Sequence, residues 1–175
     1  YNFNFIQVLP IYSDDLSVGN TLNFSKYHSV SDNLILSGKL FLKSVNSIDD
    51  DVRVSRRIYI PSKNLRGFEP GKIGPKDGVE YVGGNFGSAL NLNSTIPNVL
   101  NGFENIDLNF FFDAATLREV DYDSSLESSK IRSSTGIAVN WFTVIGPLSF
   151  SYAIPLTKET TDQTESFRFR IGTSF

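Results

Sequence analysis

The chain has 175 residues, with 16 Lys and Arg against 19 Asp and Glu, no Cys and a single His. This length fits one domain, and a net charge of −3 without any basic block argues against a nucleic-acid partner. The lack of Cys excludes a disulfide framework and Cys-ligated zinc, and His28 alone cannot form a His-rich metal site. Because the chain begins at Tyr1 and contains no Met, we expect it to be a piece of a longer protein.

No run of apolar residues is long enough for a transmembrane helix. A mean hydropathy of −0.13 is nevertheless compatible with membrane-spanning strands, in which only every second side chain faces lipid. A two-residue period is therefore the pattern that decides the class of protein.

The sequence predicts about eight strands and no helix. The first two, about Tyr1–Leu9 and Asn20–Val30, are rich in strand-forming residues but alternate poorly. The later strands alternate apolar and polar residues, which gives each strand one apolar face. These strands lie around Leu34–Leu42, Leu90–Leu92, Ile106–Asp113, Ile137–Trp141, Leu148–Leu156 and Phe167–Phe175.

The connections between the predicted strands alternate in length, as in up-and-down outer-membrane β-barrels with long loops on one side and short turns on the other. The polar faces carry mostly Asn, Ser, Gly and Ala, which suits a wet lumen better than the charged surface of a soluble barrel. A lipocalin-like barrel and a secreted β-sandwich remain as alternatives. In chain order the connections are Pro10–Val18, Ser31–Asn33, about Asn46–Gly84, Pro97–Gly102, Thr116–Ser129, Ile145–Pro147 and Lys158–Gln163.

Two sets of polar residues receive a structural interpretation. The loop acids Asp121, Asp123 and Glu127 lack the tight-turn Gly of a calcium loop, so they are interpreted as solvated residues. His28 has no second ligand candidate beside it and is interpreted as a polar residue at a strand end. No catalytic constellation of Ser, His and Asp or of paired carboxylates stands out.

The long loop contains the tetrapeptide Leu65-Arg66-Gly67-Phe68. It resembles the Val/Ile-Arg-Gly-Phe/Tyr motif of the BamA family of outer-membrane β-barrel assembly proteins, with Leu65 in place of Val or Ile. The resemblance extends over nearly the whole chain. Asn93 stands where the family places an acidic residue near the loop arginine. The other similar segments are Ile73–Lys76, Gly83–Asn85, Phe111–Asp113, Ile145–Leu148, Ser151–Ala153 and Phe167–Phe175.

This resemblance implies an all-β, antiparallel, up-and-down transmembrane barrel, of which residues 1–175 form roughly the second half of a sixteen-stranded barrel, with the loop at about 46–84 folded inward. It implies assembly and insertion of β-barrel proteins into the bacterial outer membrane, with no enzymatic activity, cofactor or metal. The implied partners are unfolded outer-membrane proteins, accessory assembly lipoproteins and outer-membrane lipid. A polypeptide-secretion pore of the two-partner type and a passive outer-membrane barrel are the alternatives.

The family mechanism also implies a weak seam at the last strand, where an incoming strand could pair with an exposed edge. The seam residues would be Phe167, Phe169, Ile171, Gly172 and Phe175. Among these, Gly172 is consistent with a kink near the end of the strand, because glycine has no side chain to pack there.

An inward-folded loop needs an anchor, and the planar guanidinium of Arg66 can pair bidentately with a carboxylate in a semi-enclosed site. Asp113 has the inward parity of Asp107 and Asn109, so we expect Arg66 to reach it. The alternative is that Asp113 only lines a wet lumen. Asn93, which also faces inward, could accept a neutral hydrogen bond from the same arginine.

The long loop also predicts how complete the barrel is. A closed eight-stranded barrel has a lumen that side chains already fill, so it has no room for a loop of this length. We therefore predict an open, curved half-wall with the loop across its concave face. The edges Tyr1–Leu9 and Phe167–Phe175 would then be unpaired within this chain.

Overall fold

The computed structural model describes residues 1–10, 16–48, 50–99, 105–144 and 146–172. Eight antiparallel strands form one sheet in the order β1-β2-β3-β6-β7-β8-β9-β10, and a separate hairpin pairs β4 with β5. The strands are β1 Asn2–Val8, β2 Ser17–Ser31, β3 Leu34–Ser47, β4 Lys76–Asp77, β5 Glu80–Tyr81, β6 Phe86–Ile96, β7 Ile106–Arg118, β8 Arg132–Thr143, β9 Gly146–Thr157 and β10 Phe167–Ile171.

The predicted all-β meander is confirmed, with several boundaries corrected. Strand β2 begins at Ser17 rather than near Asn20, and β7 continues to Arg118, beyond the predicted loop start at Thr116. Strand β7 is longer than predicted because Leu117, on its inner face, is completely buried. The strand therefore stays paired with β6 beyond Asp113, where the predicted alternation ends. The predicted last strand reaches Phe175, but β10 ends at Ile171, and residues 173–175 lie outside the described part of the chain.

The connection predicted at about 46–84 runs from residue 48 to residue 85. It is not irregular throughout, since it contains the 3₁₀ turn Val54–Arg56 and the β4–β5 hairpin. In the described ranges no helix is long and apolar enough to cross a membrane.

The two faces of the sheet differ as the alternation predicts. Phe150, Tyr152 and Phe169 are exposed on the outer face, and the rings of Phe150 and Phe169 stack at 4.8 Å between centroids. Asp113 is completely buried on the inner face, and Arg170 lines a cavity on that side. The predicted directions of these side chains are confirmed.

The main apolar core lies between the inner face of the sheet and the long loop, rather than between two sheets. Because small side chains such as Ala89 and Ala115 face inward at this level, the larger loop residues can approach the strands closely. This cluster of buried residues comprises Phe41, Val45, Val52, Ile58, Ile60, Leu65, Phe68, Ile73, Ala89, Ala115 and Leu117.

The sheet is open. Strands β1 and β10 lie at its two edges, and no ladder joins them in the residues that the structure describes. Both edges nevertheless reach one inner cavity of about 870 Å³, which Asn2 and Asn4 line from β1 and Arg170 lines from β10. Within the described residues the sheet is therefore open, and the long loop packs on its inner face.

Candidate functional site

Arg66, at the centre of the loop motif, is bound to Asp113 on β7 through three hydrogen bonds. Its Nε donates to Oδ2 at 2.7 Å, its Nη2 donates to Oδ1 at 2.7 Å, and its backbone N–H donates to Oδ2 at 3.1 Å. The Asp113 side chain is 0% exposed and that of Arg66 is 11% exposed. This is the bidentate fork that a guanidinium makes with a carboxylate, here shielded from water.

Three side chains complete the surroundings of the pair. The Oδ1 of Asn93 accepts a hydrogen bond from Arg66 Nη2 at 2.9 Å. The amide of Asn91 donates to Asp113 Oδ1 at 2.7 Å and to the backbone carbonyl of Asn64 at 2.9 Å. The ring of Phe111 lies under the guanidinium, with its centroid 3.5 Å from Arg66 Cζ. One face of the guanidinium is thus covered by an aromatic ring, and its Nε and Nη2 are hydrogen-bonded to the wall, which fixes the position of the motif.

Gly67 allows the loop to turn sharply against the wall. Its φ of +86° is unfavourable for residues with a side chain, and an added Cβ would lie 3.1 Å from the Cβ of Ala153 and 3.3 Å from that of Ser134. The hydroxyl of Ser134 donates to the backbone carbonyl of Arg66 at 2.5 Å. The turn therefore packs directly on β8 and β9.

Leu65 and Phe68 flank the turn and are both buried, at 3% and 2% exposure. Phe68 forms an isolated β-bridge with Thr164, in the connection between β9 and β10. The bridge consists of backbone bonds from Glu69 N–H to the Gln163 carbonyl, at 3.0 Å, and from Glu165 N–H to the Gly67 carbonyl, at 3.2 Å. A third bond joins Gln163 N–H to the Lys72 carbonyl at 3.0 Å. The motif is thus fixed to a second loop as well as to the sheet.

Arg168, on β10, links the loop to the last strand. Its Nη1 donates to the Ser62 carbonyl at 3.0 Å, its Nη2 donates to the Phe68 carbonyl, and its Nε donates to a carboxylate oxygen of Glu165 at 2.9 Å. The parity of the sequence predicts that Arg168 points inward but says nothing of these acceptors. They connect the loop motif to the strand at the sheet edge.

Two more ion pairs hold the outer part of the loops. Arg132 is fully buried and pairs with Asp162 at 3.0 Å and with Glu159 at 2.7 Å. Asp162 also accepts a hydrogen bond from the backbone N–H of Gly74 at 3.4 Å. The β9–β10 connection is therefore tied both to β8 and to the long loop.

Asp121, Asp123 and Glu127 are exposed, as interpreted from the sequence, but Asp121 and Asp123 also bind other parts of the loop. Asp121 pairs with Arg57 at 2.7 Å and accepts a hydrogen bond from the Val52 backbone N–H at 2.6 Å. Burial raises the pKa of Asp121. Hydrogen bonds from the Val52 backbone and the Asn85 side chain, together with the positive charge of Arg57, have the larger opposite effect, so the pKa lies below its ordinary value. Asp123 caps the 3₁₀ turn by accepting from Ser125 N–H at 2.8 Å. Their acidic oxygens therefore hold loop backbone and a guanidinium in place.

The predicted seam residues are separate from the loop site. Phe167, Phe169 and Ile171 are exposed on the outer face of β10. Gly172 follows the last residue of the strand, and its backbone N–H donates to the Pro147 carbonyl at 3.1 Å. Phe175 lies outside the described residues. Among the described residues, Arg168, on the opposite face of β10, connects this strand to the motif.

The sequence gives a partial signal for the residues that were not predicted. Phe111 is an aromatic residue at an inward position between Asn109 and Asp113, where the other side chains are polar. An aromatic ring at a polar position is a reason to look for a cation above it. The pairing of Arg132 with Asp162 has no comparable signal, because the two residues lie in different elements and meet only after the loops fold.

Comparisons with known proteins agree with this geometry. The family model of the Omp85 superfamily domain matches residues 2–175. The outer membrane protein assembly factor BamA of Neisseria meningitidis serogroup B is 30% identical over 142 residues, which cover 64% of this chain and 18% of that protein. The crystal structure of BamA from Haemophilus ducreyi lacking POTRA domains 1-3 superposes with a TM-score of 0.82 at 29% identity, covering 90% of this chain and 35% of that one.

The chain therefore spans only a minor part of the length of these relatives. Family and fold lead to the same conclusion: the chain belongs to the Omp85 superfamily and is a BamA-like segment of an outer-membrane β-barrel.

Proposed function

We propose that the full-length protein containing this chain folds and inserts β-barrel proteins into the bacterial outer membrane and is not an enzyme. The observation that carries the proposal is the combination of a motif loop fixed on the inner face with strand β10, which has a partner strand on only one side among the described residues. The similarity to a protein named as an outer membrane protein assembly factor favours assembly over secretion.

The unpaired edge of β10 supplies backbone hydrogen-bonding groups for a client strand. Strand β10 pairs through five residues with Leu148–Tyr152 of β9, and within the described residues its other edge has no partner strand. An unpaired edge offers a row of N–H and C=O groups to any extended segment. A client strand would add to this edge by β-augmentation, with its alternating apolar side chains continuing the row of Phe167, Phe169 and Ile171.

The motif loop holds β10 in a position in which its unpaired edge can bind a client strand. Arg66 fixes the loop to the middle of the wall, and Arg168 connects the loop to β10. A fixed loop holds the last strand in place from the inner side while leaving its backbone edge open. Leu65, Gly67 and Phe68 support the same position through burial and the turn. The anchors are Asp113 and Asn93.

The partners that this function implies are unfolded outer-membrane proteins as clients, accessory assembly lipoproteins and the lipid of the outer membrane. The exposed apolar row on the outer face supports the lipid partner directly, because Phe150, Tyr152 and Ile154 would otherwise lie in water.

The first experiment replaces Arg66 by Ala in the full-length protein and measures the levels of client barrels in the outer membrane after the wild-type copy is depleted. We expect client levels to fall while the variant itself still folds, because its strands pair independently of the loop. Heat-modifiable migration on gels reports that folding. Lys63→Ala, three positions away in the same loop, is the matched control. Unchanged client levels in Arg66→Ala would contradict the role of the motif.

A second experiment tests the edge itself. A photoreactive residue at position 169, on β10, should cross-link to a client during insertion, whereas the same residue at position 150 on β9 should not. The two rings are 4.8 Å apart and equally outward, so the comparison isolates the free edge. Equal cross-linking at both positions would remove the seam from the mechanism. Transport of a client across the vesicle membrane without its insertion would favour the two-partner secretion pore. If the client is neither inserted nor transported, a passive barrel is favoured.

A further inference from the structure

The outer face of the sheet carries an apolar groove of about 660 Å³, which crosses β2, β3, β6 and β7 and is separate from β10. It lies over Gly38 of β3, where the lack of a side chain leaves a gap between neighbouring strands. The side chains around the gap include Phe24, Leu36, Leu92 and Phe112. Leu36, Leu92 and Phe112 are exposed, as expected for positions that face lipid.

One wall of the groove is cationic. Lys26 and His28, on β2, both line it, and the strand register places them opposite Gly38 and Leu36. Both are exposed, and the Lys26 ammonium lies 5.4 Å from the centroid of the Tyr1 ring. Across the described parts of β2, β3, β6 and β7, no outward position holds Asp or Glu. The positive charge on this face has no acidic neighbour to balance it.

A lysine on the lipid-facing side of a barrel strand is unfavourable near the middle of the membrane and becomes acceptable where it reaches the headgroups. Lys26 lies six positions before Asp32, in the short turn between β2 and β3. This separation is about 20 Å along the strand, longer than a lysine side chain, so the charge of Lys26 is balanced only if an anionic headgroup enters the groove. An anionic group there would satisfy both the charge and the hydrogen-bond donors of Lys26.

We propose that this groove is a binding site for one anionic phospholipid, with an acyl chain over Gly38 and the phosphate bound by Lys26. The imidazole of His28 carries a ring N–H that can donate to the same phosphate. Charge complementarity selects the lipid, because a purely apolar groove would accept any acyl chain, whereas a cation at its rim favours a negatively charged headgroup. The site requires membrane embedding but not the assembly activity.

Gly38 provides the structural test of the acyl subsite. A Cβ added there meets only Leu92 Cδ2, at 3.6 Å, which is an ordinary contact, and the backbone does not need a positive φ. Gly38→Leu should therefore fold and fill the groove. Lys26→Gln removes the charge, and Lys26→Arg keeps it. Lys43→Gln removes a cation from the inner face of β3 and serves as the matched control.

The experiment uses full-length protein in nanodiscs of phosphatidylcholine that contain a small fraction of phosphatidylglycerol with a photoreactive acyl chain. Cross-linked peptides are identified by mass spectrometry. We expect labelling around Gly38 and Leu92, reduced about fivefold by Lys26→Gln, which is the effect of one lysine near an anionic surface. Gly38→Leu should abolish it, whereas Lys26→Arg and Lys43→Gln should leave it unchanged.

Several outcomes would overturn the proposal. Equal labelling by phosphatidylcholine with the same reactive chain would show that the groove does not select an anionic headgroup. Displacement of the probe by equimolar lipid A would assign the groove to lipopolysaccharide instead. Cross-linking of a second copy or of another protein at these positions would make the groove a protein interface. Client-barrel insertion is measured separately, so failure of the lipid site leaves the proposed function intact.

Discussion

Replacing Asp113 by Asn tests whether the buried ion pair holds the loop. The substitution keeps the shape of the side chain but removes the charge that accepts two hydrogen bonds from the Arg66 guanidinium, at 2.7 Å each. Asn has one acceptor oxygen, so one of these bonds is lost and the other becomes a neutral bond. Because charge-assisted bonds are about twice as strong as neutral ones, the two together should lose about 2 kcal/mol. Docking of the loop should weaken by about 2 kcal/mol, or about thirtyfold in its opening equilibrium.

Hydrogen exchange of the full-length protein measures this opening, because amides of a docked segment exchange only when it opens locally. Peptides containing Leu65–Phe68 should exchange about thirtyfold faster in Asp113→Asn, while the ladder amides of β7 and β8 keep their protection. Asp107→Asn is the matched control on the same face of β7, since the bond that Asp107 accepts among the described residues is an exposed one, from Asn98 N–H at 3.2 Å. Unchanged loop exchange in Asp113→Asn, or an equal increase in the control, would refute the anchor.

Three further changes have expected outcomes. Gly67→Ala should raise exchange of the same loop peptides about tenfold, because a left-handed conformation costs a residue with a side chain ~1–2 kcal/mol; wild-type exchange would contradict this. Phe150→Arg should lower the free energy of unfolding in lipid vesicles by ~2–4 kcal/mol. The control Asn140→Arg should lower it by less, because Asn140 faces the inner cavity and not the lipid. The Arg57–Asp121 pair should persist on acidification to about pH 4 and be lost only as pH falls through the lowered pKa of Asp121, which exchange of the Val52 amide would follow; loss near neutral pH would count against it.

The sequence by itself determined the strands, the faces and the location of the motif. A two-residue period leaves little freedom, because shifting a strand by one residue would move its whole apolar row to the other face. The parity of Asp113 and Asn93 therefore predicts two of the acceptors of Arg66 before any coordinates exist. The length of the loop also predicts an open sheet, since a closed eight-stranded lumen could not contain it.

Tertiary structure alone decided the contacts between loops. Arg132 and Asp162 come from different elements, as do Arg57 and Asp121, and no periodic pattern relates the members of either pair. Their meeting depends on how the long loop packs on the inner face and on the β9–β10 connection. Strand parity is a local property of the backbone, whereas an ion pair between loops depends on the path of the whole chain, which only the folded structure specifies.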